Sequence, residues 1–540
     1  MRRDDSLARL DRHYDVLVIG GGATGLGVAV DSAARGYATL LVEARDFAQG
    51  TSSRSTKLVH GGVRYLQQGN IGLVREALRE RAYLLRNAPH LAHELRFLVP
   101  AYRRWHMPFY GIGLALYDLL AGRLGLHRAR RVDAATARRL LPTLVPDGLR
   151  GGVVYSDAQF NDARLALSLA RTADALGATL LNHASATALT KRGGRVVGAT
   201  VVDTPTGQEY AVRARAVVNA TGVFTDDLRR LDDPAAPGII AVSQGIHLVL
   251  ARDFLPGDTA IMVPQTDDGR VVFIIPWQGR TLVGTTDTPR PTPSVEPTAL
   301  AEEVAFVLRH AGRYLARQPV RADILAVYAG LRPLVRGRDS RDNQGDSGEA
   351  TAKLGRDHTL LESASGLLTI TGGKWTTYRR MAEETVDRAA TVAGLPTRAC
   401  RTRDLRLHGA TGRDPAWLEF GATAAEIAAY EARHPGLLDP RLPYSLAMAA
   451  YTIDHEMPVR LEDVLSRRLR AVLLDARAAM AAAPAVAALM AALQGRDEAW
   501  VRAEIAAFRQ LVETHHLVGA AGLGATPGSE TAGGEQSAAP

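Results

Sequence analysis

The chain has 540 residues, 46% of them hydrophobic and 23% charged, a net charge of +8 and a single cysteine, Cys400. That length allows about three domains with sizeable cores, while one cysteine excludes a disulfide framework or a four-cysteine metal site; no metal site is expected. The N-terminal MRRDDSLARLDRHYD lacks the apolar core of a signal peptide and no run of about 20 uncharged apolar residues offers a spanning helix, so a reducing, cytoplasmic setting is expected.

Nearly all the positive charge is arginine. Only four lysines occur, and two of them, Lys57 and Lys374, lie in glycine-rich motifs, which points to a chemical need for an ammonium there. The basic balance admits an anionic partner: a phosphate substrate, a membrane surface or nucleic acid.

In chain order, Tyr14 to Ile19 reads as a short buried strand. Gly20-Gly21-Gly22-Ala23-Thr24-Gly25 follows and fits G-x-G-x-x-G. Residues 23–35 read as a helix with small residues on one side, and 38–42 as a second apolar strand ending in Glu43. Strand, glycine turn, helix, strand and acid in this order predict an adenine-dinucleotide site. Gly20 permits the tight turn, Gly22 lets a pyrophosphate approach the backbone, and Gly25 lets the helix pack on the strand. The helix opens at Ala23 and Thr24, where unpaired N–H groups face the phosphates. Glu43 is placed to accept from ribose hydroxyls.

Residues 50–68, GTSSRSTKLVHGGVRYLQQ, form a loop too rich in glycine and hydroxyls for a packed helix. Thr51, Ser52, Ser53 and Thr56 can bind phosphate or ring oxygens, Lys57 is a point cation beside His60, and Gly61-Gly62 allows close approach to a flat ligand. Residues 71–95 read as a helix. Residues 96–131 have an apolar, aromatic middle (Trp105, Phe109, Tyr110, Tyr117) between arginines at 103–104 and 123–131. This segment fits either a membrane-surface element or a buried helix pair with an arginine-rich rim.

Residues 153–165 run from a strand into a helix capped by Asn161 or Asp162. A strand at 178–182 follows, then a strand pair around Gly193-Gly194, then a buried strand 214–218 ending in Asn219-Ala220-Thr221-Gly222. Residues 239–290 read as four closely spaced strands, an antiparallel sheet inserted between halves of the first domain. Residues 299–315 read as a helix and 338–350 as a polar surface loop. The stretch 366–388 gives a strand, then GGKWTTY with Gly373, Lys374 and Thr376, then a helix. From about 400 the pattern is helical, and 518–540 has the composition of a disordered tail.

Three glycine strand ends suit one extended dinucleotide across one sheet, hence FAD rather than NAD. With no second fingerprint for NADH, electrons must come from a substrate that reduces the flavin directly. The expected class is α/β: a doubly wound FAD-binding domain (14–100, 150–235 and 355–395), an apolar and basic segment (101–149), an inserted antiparallel-sheet substrate domain (236–354), and a C-terminal all-α domain (400–517) before the tail.

KLVHGGVRYLQQG (57–69), YSDAQFNDARL (155–165), VVNATG (217–222), FIIPWQGRTLVGTTD (273–287), YAGLRPL (328–334) and GGKWTTYRRMAEE (372–384) resemble the FAD-dependent glycerol-3-phosphate dehydrogenases, and YTIDHEMPVRLEDVLSRR (451–468) resembles that family's C-terminal helical domain. The resemblance implies oxidation of sn-glycerol 3-phosphate to dihydroxyacetone phosphate. It also implies electron transfer to a membrane quinone such as ubiquinone, or to oxygen in the oxidase branch, and a peripheral place on the inner face of the cytoplasmic membrane. A homodimer is left open. The tryptophan in GGKWTTY departs from a smaller aliphatic residue and is expected to matter little.

The residues agree with that chemistry. A phosphorylated alcohol needs fixed cations, which the fork of Arg64 in HGGVRYL and of Arg332 in AGLRPL can supply. Oxidation needs a base for the hydroxyl proton, for which His247 and His60 are the candidates; the resemblance places the histidine matching His247 at the substrate. Lys374 and Thr376 can bind substrate oxygen or a flavin carbonyl, and Tyr65 can line the pocket beside Arg64. An amine or amino-acid oxidase is the competing enzyme reading, with Arg332 as a carboxylate clamp. A flavoprotein that binds nucleic acid is disfavoured, because the arginines are scattered and no aromatic-basic strand set is visible.

Overall fold

The computed structural model describes residues 1–62, 70–264, 266–267, 269–336, 357–411 and 415–518. Two sheets organise it. The first has eight strands, in the order His358–Glu362, Leu368–Gly372, Gln208–Asn219, His13–Ile19, Thr39–Val42, Thr179–Leu181, with the hairpin Ala184–Arg192/Arg195–Asp203 attached to Gln208–Asn219. The central pairings are parallel, and their carboxyl ends align: Ile19 lies beside Val42 on one side and Asn219 on the other. Buried on both faces, these strands read as unbroken apolar runs, while ligands of open α/β sheets bind beyond such carboxyl ends.

The first helix, Ala23–Ala34, leaves the glycine turn directly. Its small residues are explained by two close approaches. A Cβ on Gly25 would overlap the carbonyl of Gly20, and one on Gly27 would meet the Tyr378 ring at 2.9 Å. Helices Ala23–Ala34 and Tyr378–Val392 therefore pack closely together, and both lie where 23–35 and 366–388 were read as helical.

The second sheet has ten strands and is antiparallel except where Thr259–Val263 runs parallel to Ala92–Ala101. Its membership is wider than the sequence suggested. Leu58–Val59, Ala92–Ala101 and Gly151–Phe160 belong to it, so these parts of 14–100 and 150–235 build the second sheet and not the first. The helix expected over 71–95 is Ile71–Asn87. It stops because Ala88 precedes Pro89, which disfavours helical backbone, and Asn87 turns its amide onto the carbonyls of Thr402 and Arg403, both at 3.1 Å.

The helical domain packs on this second sheet through one continuous apolar core that joins Phe97, Tyr155, Trp277 and Tyr328 to Tyr451, Val472 and Val486. Its helix Ala476–Gln494 is long and apolar enough to span a membrane, but it contains Pro484 and puts Ala479, Ala483, Val486 and Met490 in that core. The expected surface loop 338–350 and all but the first residue of the expected tail lie outside the described residues.

Residues 106–121 form a helix with two unlike faces. Leu114 and Tyr117 are buried. Trp105, Phe109, Ile112, Leu116 and Leu119, at alternating spacings of four and three, are exposed by 47%, 52%, 68%, 43% and 75%. Isolated exposed apolar residues are ordinary, but a contiguous stripe of five is not.

Candidate functional site

Two cavities share a wall of Thr51, Arg54, Leu331, Pro333 and Gly372–Trp375. The first, ≈ 500 Å³, runs from Gly20, Gly22, Ala23, Thr24 and Glu43 past Ala220, Thr221 and Gly222 to Gly373 and Lys374. The three strand ends singled out in the sequence thus converge on one elongated space. At its head Gly20 holds φ +115°, and a Cβ there would meet the Ala220 backbone, so two strand ends can approach only through glycine. The Ala23 N–H donates to Ser52 Oγ at 2.9 Å, which leaves a helix N-terminus bordered by a hydroxyl, a donor set suited to a pyrophosphate.

Glu43 lines this cavity and has a second task. Its oxygens accept from Gly21 N–H at 2.6 Å and Arg45 N–H at 2.9 Å. It thereby ties off the glycine turn, and each oxygen keeps a further lone pair for a ribose hydroxyl. Burial pushes its carboxyl above the usual range, and the two backbone donors oppose that shift. Length, glycine cradle, helix terminus and acid fit FAD.

The second cavity, ≈ 700 Å³, is lined by His60, Gly62, His247, Arg332, Lys374 and Thr376 together with Arg54, Thr56, Arg270 and Asp287. Strand register brings its main side chains together. Ile240–Ala251 pairs antiparallel with Ile324–Val335 so that Ser243 faces Arg332, Gly245 faces Gly330 and His247 faces Tyr328. These alternate positions share one face of the sheet. A Cβ on Gly245 would overlap the Arg332 guanidinium, and one on Gly284 would overlap the His247 ring. Glycines on neighbouring strands therefore make the space that the Arg332 and His247 side chains occupy.

Arg332 is braced by Asp287 Oδ1 at 3.3 Å, Thr285 Oγ1 at 3.2 Å and the Thr286 carbonyl at 3.0 Å. Asp287 is itself held by the Ser243 hydroxyl. His247 stacks on Tyr328 with ring centroids 4.8 Å apart, and its Nε2 lies 2.9 Å from Thr56 Oγ1. Its buried Nδ1 has no hydrogen-bond partner among the described residues. Burial, and then the nearby Lys57 and Arg332 charges, hold its pKa well below the usual histidine range. The ring is neutral at pH 7, as a base must be.

Several expected site residues stand elsewhere. Lys57 lines neither cavity. Its ammonium is fully buried, 2.6 Å from Asp162 and 2.8 Å from the Ser53 carbonyl, and burial lowers its pKa to about 7. Ser53 is likewise buried and contributes its carbonyl to that cluster. Gly61 owes its small size to Tyr117 and Leu78, which a Cβ would meet at 2.6 and 2.8 Å, and not to a flat ligand. Gly25 acts through helix packing. Arg64 and Tyr65 lie outside the described residues. Thr51 and Ser52 do line the first cavity. Trp375, expected to matter little, borders both cavities and donates its indole N–H to the Ser52 carbonyl at 2.9 Å. The partnership of Thr56 with His247, the brace of Asp287 and the exclusion of Cβ atoms at 245 and 284 were missed. Only the QGIHLVL and VGTTD contexts hinted at them.

One buried group among the described residues has metal-ligand chemistry, Asp46, His183 and Asp463. Asp46 already takes both Arg467 and Arg468, and Asp463 takes Arg467 at 2.6 Å and His183 at 2.9 Å. Guanidinium charge satisfies these carboxylates.

Known proteins match the chain along most of its length. The family described as FAD dependent oxidoreductase matches residues 15–379, and the C-terminal domain of alpha-glycerophosphate oxidase matches 417–501. A mitochondrial glycerol-3-phosphate dehydrogenase of Mesocricetus auratus is 40% identical over 528 residues, covering 90% of this chain and 71% of its own. The human protein of that name is 39% identical over the same shares. A crystal structure of the glycerol-3-phosphate dehydrogenase from Bacillus halodurans complexed with FAD superposes with a TM-score of 0.77 at 28% identity, covering 95% of this chain and 97% of that one. The first cavity is thus an FAD site, and the chain belongs to the FAD-dependent oxidoreductases and, within them, to the glycerol-3-phosphate dehydrogenase family.

Proposed function

We propose that this protein oxidises sn-glycerol 3-phosphate to dihydroxyacetone phosphate and passes the electrons to a quinone in the membrane. The observation that carries the reaction is the strand register that sets a neutral His247 and a braced Arg332 on one face of the cavity adjoining the FAD site. The names of the relatives support the substrate. When bound, FAD supplies the two-electron acceptor for hydride leaving the carbinol carbon. Arg332, held by Asp287, Thr285 and Thr286, is oriented before substrate arrives and stabilises phosphate or developing alkoxide charge without reorganisation. His247 accepts the hydroxyl proton. Lys374, which borders both cavities, holds a substrate oxygen beside the cofactor.

The acceptor reading rests on the exposed stripe of residues 105–119. Five apolar side chains flanked by Arg103, Arg104, Arg128, Arg130 and Arg131 suit the inner face of a cytoplasmic membrane. Arg467 and Arg468, an adjacent pair of arginines in the C-terminal domain, offer no basic surface for this purpose, since both are buried against Asp46. A second reading, oxygen as acceptor, is favoured by the oxidase name of the C-terminal match.

Anaerobic bleaching of the bound flavin tests the substrate. Glycerol 3-phosphate should bleach it, and glycerol and amino acids should not; bleaching by an amino acid favours the amine-oxidase reading. Reoxidation by a short-chain quinone should outpace reoxidation by oxygen, and the reverse order favours the oxidase. Trp105→Ser/Phe109→Ser, with its flavin retained, should sediment less than the parent with anionic vesicles at low salt. Equal sedimentation would remove this helix from the membrane contact.

A further inference from the structure

The loop Ser53–Lys57 ends one residue short of being an ordinary connection to the second sheet: it delivers Thr56 to His247, and every other residue in it except Arg54 is fastened to a buried cluster. Lys57 Nζ and Arg470 Nη2 both donate to the Ser53 carbonyl, at 2.8 and 2.7 Å. Asp162 Oδ2 accepts from the Ser55 N–H at 3.1 Å and the Ser55 hydroxyl at 2.7 Å, and that hydroxyl accepts from the Lys57 N–H at 3.0 Å. Tyr328, the ring on which His247 stacks, donates its hydroxyl to the Ser55 carbonyl at 2.8 Å.

The cluster is closed to water. The side chains of Lys57, Asp162 and Arg470 are 0%, 0% and 1% exposed. One carboxylate faces two cations, with Arg470 Nη2 3.2 Å from Asp162 Oδ1 and Lys57 Nζ 2.6 Å from Oδ2. The ammonium also lies 4.8 Å from the centre of the Tyr328 ring and 5.6 Å from that of Trp277. Burying three charges is unfavourable unless each is bonded, and here the bonds converge on one short loop. Arg470 comes from the C-terminal helical domain and adopts left-handed backbone at φ +58°.

We propose that Lys57, Asp162 and Arg470 are positioning residues for the His247 imidazole: through one buried guanidinium the C-terminal domain pins the loop 53–57 whose Thr56 fixes the ring, and Tyr328 backs that ring against the same loop. This inference rests on the functional reading above only for its kinetic arm. The cluster acts on ring orientation, so its loss slows proton removal and leaves substrate affinity nearly as it was.

The test uses the full-length flavoprotein. Arg470→Lys should keep its flavin and its KM for glycerol 3-phosphate while anaerobic flavin reduction slows about ten- to a hundredfold, the scale of a misplaced catalytic group. Thr56→Val should slow reduction similarly, and the double variant should be no slower than Thr56→Val alone, because both act through one contact. A substrate-free arm keeps the inference separable from the functional reading: carbethoxylation of His247 by diethyl pyrocarbonate, followed by peptide mass, should be faster in Arg470→Lys than in the parent. If Arg470→Lys fails to fold, Ser55→Ala, which removes only the hydroxyl tie to Asp162, carries the same expectations. Parental reduction and parental His247 reactivity in a flavin-loaded variant would overturn the proposal, as would losses that multiply in the double variant.

Discussion

The two adjoining cavities are built on opposite plans. The FAD site is a backbone structure: glycine strand ends, a helix terminus, and one acid that ties off the turn. The second cavity, the proposed substrate site, is a side-chain structure: an imidazole and a guanidinium seated by register on one sheet face, with neighbouring glycines leaving their places open. A backbone site fails when any side chain is added. A side-chain site fails in degrees, according to which group is lost or displaced.

The largest effect should therefore come from Gly22→Val, which puts a branched side chain beside Ser52 where the pyrophosphate must approach the backbone. The variant should purify without flavin, read from the ratio of visible to ultraviolet absorbance; a full flavin spectrum would contradict the backbone plan. Next is His247→Asn, which removes the base and should slow flavin reduction about a hundred- to ten-thousandfold. His60→Asn should leave the acidic limb of the pH–rate profile in place; loss of that limb there, and not in His247→Asn, would exchange their roles.

Smaller again is Gly245→Ala. Its Cβ would meet the Arg332 guanidinium and, at 2.5 Å, the Thr285 hydroxyl that braces it, both of them side-chain ends, so the fold should survive and the guanidinium should shift. KM for glycerol 3-phosphate should rise about tenfold, corresponding to about 1.4 kcal/mol of lost binding. An unchanged KM would show that the glycine serves the fold alone.

The smallest effect concerns the frame. His90 and His516 are buried and His408 is half-buried, and desolvation lowers the pKa of each to about 4. Each folded pKa lies below the unfolded value of about 6.5. The unfolded chain therefore binds more protons in this range, and the stability these groups contribute is present above pH 6.5 and is lost as pH falls toward 4. Melting temperature should decline over that window, and less steeply in His516→Gln, whose side chain replaces a ring bonded to the Val327 carbonyl. A flat profile would contradict the burial of these neutral rings.

The same contrast explains what could be read from the sequence. Gly20 to Gly25, Ala220 to Gly222 and Gly373-Lys374 are contiguous strings whose chemistry is local, and they did assemble into one cavity. The second cavity depends on long-range register: that Ser243 would face Arg332, or that Gly284 would seat His247, is not contained in any one segment. The error over Lys57 has the same origin. An ammonium in a glycine-rich loop looks like a ligand contact until Asp162 and Arg470, distant in sequence, are seen to enclose it. The helix expected over 71–95 ran into strand Ala92–Ala101, and Gly151–Phe160 was placed with the dinucleotide domain, because a local pattern does not say which sheet a segment joins.

The central claim is that the side-chain cavity recognises a phosphate ester and that Arg332 carries much of that recognition. The most direct measurement compares anaerobic flavin reduction by sn-glycerol 3-phosphate and by glycerol, in the parent and in Arg332→Ala. The parent should strongly prefer the phosphate ester, and Arg332→Ala should lose about 2–4 kcal/mol of that preference, roughly a hundredfold or more in relative kcat/KM. An undiminished preference in a variant that retains its flavin would contradict the account.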